Sequence, residues 1–402
     1  MRSVFHGWWV VAAAFAVTFV GFGAAYTFSA LFAPLQLEFA ASRASVSAVF
    51  SIAGFLYFAL GVVSGPLSDR WGARRLIVGG MIVLAAGLAL AAAARSLTQV
   101  YVAYGLGVGL GVGLAYAPAL GAVQRWFVAR RGLASGLAVS GIGVGTLVLP
   151  PLAAALAQSV GWRGAYLVLA VLALVVGGGM ALLVESDPAR RGLTPDGAPP
   201  PASAPPPRGV ALGEAVRTRR FAGLYAGCLV CGFGVFTPFA HLVPYALDHG
   251  IAPTRAALLL ALIGAGSTAG RFLLGGLADR LGRLPALLSM FVGMAAAMGL
   301  WAAASDFAAL AAFALAYGVF YGGWVALLPA VVADYFGGRA VSSIIGVLYT
   351  SVAFGTLVGP IAAGRAYDAA GSYLVPIVLA ALANLAAAAI VAVTARAPTS
   401  SR

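Results

Sequence analysis

The chain has 402 residues, 62% hydrophobic and only 9% charged, with a mean hydropathy of +0.99. A soluble domain is about half apolar and about a quarter charged, so this composition excludes the soluble classes and points to a membrane protein. The net charge of +13 comes from arginine alone, since the sequence holds no lysine. Its layout, given below, is that of a topology signal, and no nucleic-acid partner is expected.

A helix needs about 20 mostly apolar residues to cross the hydrocarbon core. Interruptions by Arg, Asp, Pro and Gly divide the chain into twelve such spans. Six lie at 8–37, 44–66, 75–95, 98–122, 132–158 and 162–184, and six at 219–247, 254–276, 284–303, 307–333, 340–365 and 371–395. The first is too long for a leader and has no small-residue cleavage site, so no cleavable signal is expected. Between the two sets lies ESDPARRGLTPDGAPPPASAPPPRG, proline-rich and without an apolar face, which reads as an extended or disordered linker. The expected organisation is an all-α membrane protein: an N-terminal six-helix bundle (1–184), a cytoplasmic linker (185–218) and a C-terminal six-helix bundle (219–402).

The halves look like copies. Gly65-Pro66-Leu67-Ser68-Asp69-Arg70-Trp71-Gly72 recurs as Gly275-Gly276-Leu277-Ala278-Asp279-Arg280-Leu281-Gly282, at an offset of 210. Trp126-Phe127 recurs as Tyr335-Phe336 at 209, and Gly145-Thr146-Leu147 with Pro150 recurs as Gly355-Thr356-Leu357 with Pro360 at 210. A near-constant offset over separated blocks signals duplication. An even number of spans per unit makes the repeats parallel, about an axis along the membrane normal. With both termini cytoplasmic, 18 of the 24 arginines fall in inner segments, five in outer ones (Arg43, Arg95, Arg163, Arg255, Arg365), and Arg271 remains within the membrane. That asymmetry sets the orientation, in a cytoplasmic (inner) membrane.

Several features read as packing. Cys228 and Cys231 lie within an apolar run as small helix-packing residues rather than a redox or metal pair. The glycines from Gly105 to Gly113 are also within a span, where they serve close helix approach rather than phosphate binding. No nucleophile triad, metal cluster or Walker motif is present, so the chain is not expected to be an enzyme, to carry a cofactor or to hydrolyse ATP. A solute or proton gradient is the expected driving force.

Two sets of motifs carry a resemblance. The loop G-x-x-x-D-R-x-G, at Gly65–Gly72 and again at Gly275–Gly282, resembles the signature of the major facilitator superfamily. In that family the Asp and Arg of this loop latch helix ends and govern switching, which implies a gating role for Asp69, Arg70, Asp279 and Arg280. His6-Gly7-Trp8-Trp9 and the stretch Trp126 to Ala138 (WFVARRGLASGLA) resemble the signatures of monocarboxylate transporters. His241-Leu242-Val243-Pro244-Tyr245 is similar to bacterial members of this branch and to oxalate/formate exchangers.

The acidic residues all fall in loops or at helix ends, so no carboxylate stands near the midplane. Arg271 is eight residues before Asp279, about 12 Å into a core of about 30 Å. A permanently charged guanidinium at that depth costs several kcal/mol unless it faces a wet cavity and meets an anion there. A carboxylate satisfies it through two parallel hydrogen bonds. The resemblance implies the same residue, since these carriers place a substrate-binding arginine in helix 8. It also shows two departures: Ser267 stands where eukaryotic carriers have an aspartate, and the second cation of helix 1 or 11 is missing. One fixed cation fits one carboxylate, because a second carboxylate would be left unneutralised.

Tyr116, Tyr321 and Tyr349 lie at comparable depth and donate without adding charge; Tyr26, Tyr317 and Trp324 are further candidates. His241, near the outer end of helix 7, is the candidate for proton coupling. The reading is therefore a monomeric secondary transporter of lactate- or pyruvate-like monocarboxylates, coupled to protons by alternating access. An organic-anion exchanger of the oxalate/formate type is the alternative.

Overall fold

The computed structural model describes residues 5–127, 130–197, 209–337 and 340–395. The side chains of some helical residues within those stretches, Asp69, Asp279 and Arg280 among them, lie outside the description. Ten helices among the described residues are long and apolar enough to cross a membrane, and a bent pair, Arg43–Ala59 with Gly61–Ser68, adds one more. The longest run, Gly132–Ala181, is two helices. Gly161 breaks it with φ 74° and ψ 167°, a left-handed backbone that costs glycine nothing and other residues about 1 kcal/mol or more.

The result is twelve spans. α1 is His6–Glu38 and α2 is the bent pair, continuing to Trp71. α3 is Ala73–Ala92, α4 is Leu97–Trp126, α5 covers 131–160 and α6 covers 162–181. In the second half α7 is Arg219–Asp248, α8 Pro253–Leu281, α9 Arg283–Ala303, α10 Phe307–Phe336, α11 Val341–Ala370 and α12 Leu374–Ala395. Each agrees with its expected span to within a few residues. Polar N-caps start several of them: the side chains of Ser42, Thr218 and Asp306 accept from the amides of Ser45, Phe221 and Ala309, satisfying donors that the first turn leaves free.

Each half packs mainly on itself, α1 on α5 and α3 on α4 in the first, α8 on α10 and α7 on α12 in the second. The halves meet along two crossings, α2 with α11 and α5 with α8. Glycine lets both crossings close. A Cβ on Gly364 would meet the Ala44 amide at 2.7 Å, and one on Gly264 would meet the Gly143 carbonyl at 2.6 Å. Backbones this near, with small side chains between them, are the usual contact in lipid, where no hydrophobic force draws helices together. Cys228 and Cys231 are buried inside the second half, Cys231 with its sulfur on Asn384 Oδ1 at 3.4 Å.

The linker differs from its expected extended form at the near end. The Ser186 hydroxyl accepts from the Ala73 amide at 2.8 Å, its carbonyl accepts from Arg125 Nε at 2.9 Å, and Glu185 pairs with Arg74 at 2.9 Å. Residues 185–186 therefore close the helix termini of the first half, because those termini leave amides that need acceptors. The proline-rich residues 198–208 lie outside the described residues.

Candidate functional site

Between the halves, at mid-depth, aromatic rings enclose a cavity. α1 and α4 contribute Phe22, Tyr26 and Tyr116; α10 and α11 contribute Tyr321, Trp324 and Tyr349. The rest of the wall is aliphatic or aromatic, with Ile142, Val325 and Phe58 among it. The rings hold one another in place. Tyr321 stacks on Tyr317 at 6.2 Å and 8°, Phe239 lies 4.5 Å from Tyr26, and Phe22 meets Tyr116 edge-on at 5.1 Å. Offset and edge-to-face pairs of this kind add about 0.5–1.5 kcal/mol each beyond their buried area. Tyr26 and Tyr321 join hydroxyl to hydroxyl at 3.3 Å, so one hydrogen bond ties the first half to the second across the cavity.

Arg271 is 7% exposed. Its Nη1 donates to the backbone carbonyl of Val139 on α5, again across the halves. Its Nε and Nη2, which form the other edge of the guanidinium, have no protein partner. The groups whose fields reach it are the phenols of Tyr321, Tyr116, Tyr26 and Tyr349. Tyr116, Tyr321, Tyr349 and Tyr26, all named from the sequence, line one cavity together, with Arg271 in their neighbourhood. Ser267, one turn earlier on α8, is buried with its hydroxyl unpaired, and Trp324 Nε1 is likewise buried without an acceptor. Unsatisfied buried donors cost about 1–3 kcal/mol each, more when charged.

A carboxylate fits this edge. Nε and Nη2 are coplanar and spaced for two parallel N–H···O bonds, and Lys could not supply that fork. Among the described residues no group of three or more His, Cys, Asp or Glu side chains forms a metal site.

His241 is elsewhere. It is fully buried at the end expected to face outward, between the halves rather than on the cavity wall. Around it stands a polar cluster that sequence reasoning counted only as loop charge. Arg43 at the start of α2 pairs with Asp248 at the end of α7 at 2.6 Å, donates to Tyr373 at 2.9 Å and lies against the Tyr367 ring at 3.8 Å. The carboxylate of Asp368 accepts the amides of Arg43 and Ala44, both at 2.9 Å. The loop charges alone gave no sign of this pairing, since the α1–α2 and α7–α8 connections each carry one acid and one arginine, Glu38 with Arg43 and Asp248 with Arg255. Of the gating residues named from the sequence, Arg70 is exposed at the end of α2; the side chains of Asp69, Asp279 and Arg280 are outside the described residues.

Comparison with known proteins fits this architecture. The family model described as Major Facilitator Superfamily matches residues 13–251 and 222–402. The chain is 33% identical to monocarboxylate transporter 11 of Homo sapiens over 380 residues, covering 91% of this chain and 78% of that protein. It is also 33% identical to monocarboxylate transporter 3 of Rattus norvegicus, over 96% of this chain and 79% of that one. Among solved structures, a bacterial homolog of the human lysosomal transporter Spinster, in an inward-facing and unoccupied conformation, superposes with a TM-score of 0.70 at 15% identity, over 98% of this chain and 96% of that one. A membrane transporter rather than an enzyme, the chain belongs to the monocarboxylate transporter family of the major facilitator superfamily.

Proposed function

We propose that this transporter moves small monocarboxylates of the lactate and pyruvate kind together with a proton. The observation that carries the proposal is the Arg271 edge: a buried guanidinium with Nε and Nη2 free, in the neighbourhood of the phenols of Tyr321, Tyr116, Tyr26 and Tyr349. The substrate carboxylate docks on that edge while Tyr116, Tyr321, Tyr349 and Tyr26 close on its body. One cation then carries one anion, and the pair crosses without a buried net charge. The coupling proton rides on the substrate or on His241.

The halves, 1–184 and 219–402, rock as units about the α2–α11 and α5–α8 crossings, with 185–218 as their tether. Asp69, Arg70, Asp279 and Arg280 gate the inner end. The protein acts as a monomer in the inner membrane with both termini in the cytoplasm. An exchanger of organic anions would use the same arginine but would need a counter-substrate.

The test is uptake of labelled lactate or pyruvate into proteoliposomes, with and without an inward proton gradient. Uphill accumulation that a protonophore abolishes supports symport. Uptake only into acid-preloaded vesicles turns the reading to exchange, and no uptake in either mode removes the substrate class.

A further inference from the structure

The cluster around His241 fixes its protonation state by hydrogen-bond direction alone. Nε2 lies 2.8 Å from the Pro360 carbonyl on α11, which only accepts, so Nε2 carries a hydrogen. Ser47 Oγ on α2, 3.1 Å from the same nitrogen, directs its own hydrogen to the Arg43 carbonyl at 2.6 Å and therefore also accepts from the ring. On the other side, Arg43 is a donor without acceptor capacity, so the Tyr373 oxygen takes its Nη1 hydrogen at 2.9 Å. Tyr373 then points its hydroxyl hydrogen at His241 Nδ1, 2.8 Å away. Nδ1 must be bare. The chain runs from Arg43 through Tyr373 to His241 and on to Pro360, and it closes only with a neutral imidazole.

A second proton would set N–H against O–H at Tyr373 and place a positive charge one residue from the Arg43 guanidinium. The carboxylates nearby are committed: Asp248 to Arg43, Asp368 to the two amides that begin α2. The remaining neighbours, the Phe32 ring of α1 at 5.7 Å and the Tyr367 ring, which is engaged with Arg43, offer no acceptor for an imidazolium. Ser47–His241, Arg43–Tyr373, Arg43–Asp248 and the two Asp368–amide bonds join the first half to the second and exist only while this end is shut, whereas the bonds of His241 to Tyr373 and Pro360 lie within the second half.

We propose that His241 is the proton sensor of the outer gate: the gate seals only on the neutral ring, and outer acid holds it open. The proposal rests on the alternating-access reading, not on the identity of the substrate. When the halves part, His241 loses Ser47, meets water and titrates near the ordinary histidine value of about 6.5. A proton that binds the open state and not the sealed one favours opening by mass action. The sign follows: opening is favoured below about pH 6.5, by roughly tenfold per pH unit, and the bias vanishes above it. Resealing then requires the proton to leave Nδ1, to water at the open outer end, which returns His241 to the neutral imidazole.

The experiment places nitroxide labels on cysteines at two exposed outer positions, Leu37 on α1 and Thr254 in the α7–α8 region, the native cysteines being buried. Pulsed electron resonance in lipid reports the distance between them without substrate. From pH 8 to pH 5.5 the open population should rise about tenfold relative to the closed one. His241→Gln should abolish the response and His249→Gln should leave it intact. Tyr373→Phe, which removes the hydrogen that forbids a protonated Nδ1, should shrink it, and this conservative variant serves if His241→Gln does not fold. Distances that are the same at both pH values, or an undiminished response in His241→Gln or Tyr373→Phe, overturn the proposal. A pH response without lactate uptake would leave the sensor standing and remove the substrate reading; uptake without a pH response would do the reverse.

Discussion

Replacing Arg271 separates a binding residue from a structural one. In the empty protein the guanidinium is bonded only at Nη1, to the Val139 carbonyl, with Nε and Nη2 unpaired in a buried setting. Arg271→Gln deletes that unsatisfied charge and loses one hydrogen bond. The net effect on the empty fold is therefore small, within about 1 kcal/mol, or stabilising. For the loaded protein it is large. Two charge-assisted bonds worth about 1.5–3 kcal/mol each disappear, and the substrate's charge is left among apolar rings. The sum, about 3–6 kcal/mol, is a loss of roughly a hundred- to ten-thousandfold in affinity. Arg271→Lys keeps the charge but not the fork, and should lose roughly ten- to a hundredfold. Binding of labelled lactate, read beside thermal unfolding of the empty protein in the same detergent, checks both halves of the claim. Affinity within twofold of wild type in Arg271→Gln, or an empty variant that melts many degrees lower, would refute the reasoning, because the arginine would then be holding the fold.

Gly264→Ala adds a methyl that meets the Gly143 carbonyl at 2.6 Å, with no flexible atom to give way. The sealed α5–α8 crossing should become inaccessible, so transport falls at least tenfold while the purified protein stays helical and monodisperse; normal turnover would show that the crossing does not need to close. Tyr26→Phe and Tyr321→Phe each remove one member of the 3.3 Å hydroxyl pair across the cavity. Each should change lactate affinity by about 1 kcal/mol, and the double variant should cost less than the sum because both act on one bond; strict additivity in a double-mutant cycle would break the pairing.

The membrane spans were legible because a bilayer demands uninterrupted apolar length, and arginine and glycine mark where that length stops. Gly161 shows how far this reaches: the sequence divides the fifth and sixth spans around it, and the structure supplies the cause, a left-handed backbone there. Depth was legible too. Counting from loop charges placed Arg271 and the tyrosines at one level, and the tyrosines do line one cavity. Facing was not, since a count along one helix does not say which neighbour a side chain finds. Arg271 turns to Val139, 132 positions away. His241 lies near the end of its helix, yet its partners come from residues 47, 360 and 373. Only the packing of α2, α11 and the start of α12 on α7 assembles that chain. Arg43 was counted as an outer-loop charge because its function depends on Asp248 and Tyr373 in the other half.

The count of charges also predicts the electrical character of transport. Arg271 belongs to the protein and remains with it, so the charge that crosses is that of the substrate plus whatever accompanies it. A carboxylate moving with one proton carries none. If the anion moved alone, a potential of 100 mV, inside negative, would oppose its entry by about 2.3 kcal/mol, roughly a fiftyfold lower accumulation. The proposed symport predicts the neutral case, because the accompanying proton cancels the charge of each carboxylate carried. Clamping proteoliposomes with potassium and valinomycin at zero and at 100 mV, at a fixed pH difference, measures it directly. Accumulation of lactate should agree within about twofold at the two potentials. A fiftyfold fall at the negative potential would mean that the anion crosses without its proton. The arginine would then still be the docking site, but the proton would have no part in the step that carries the substrate.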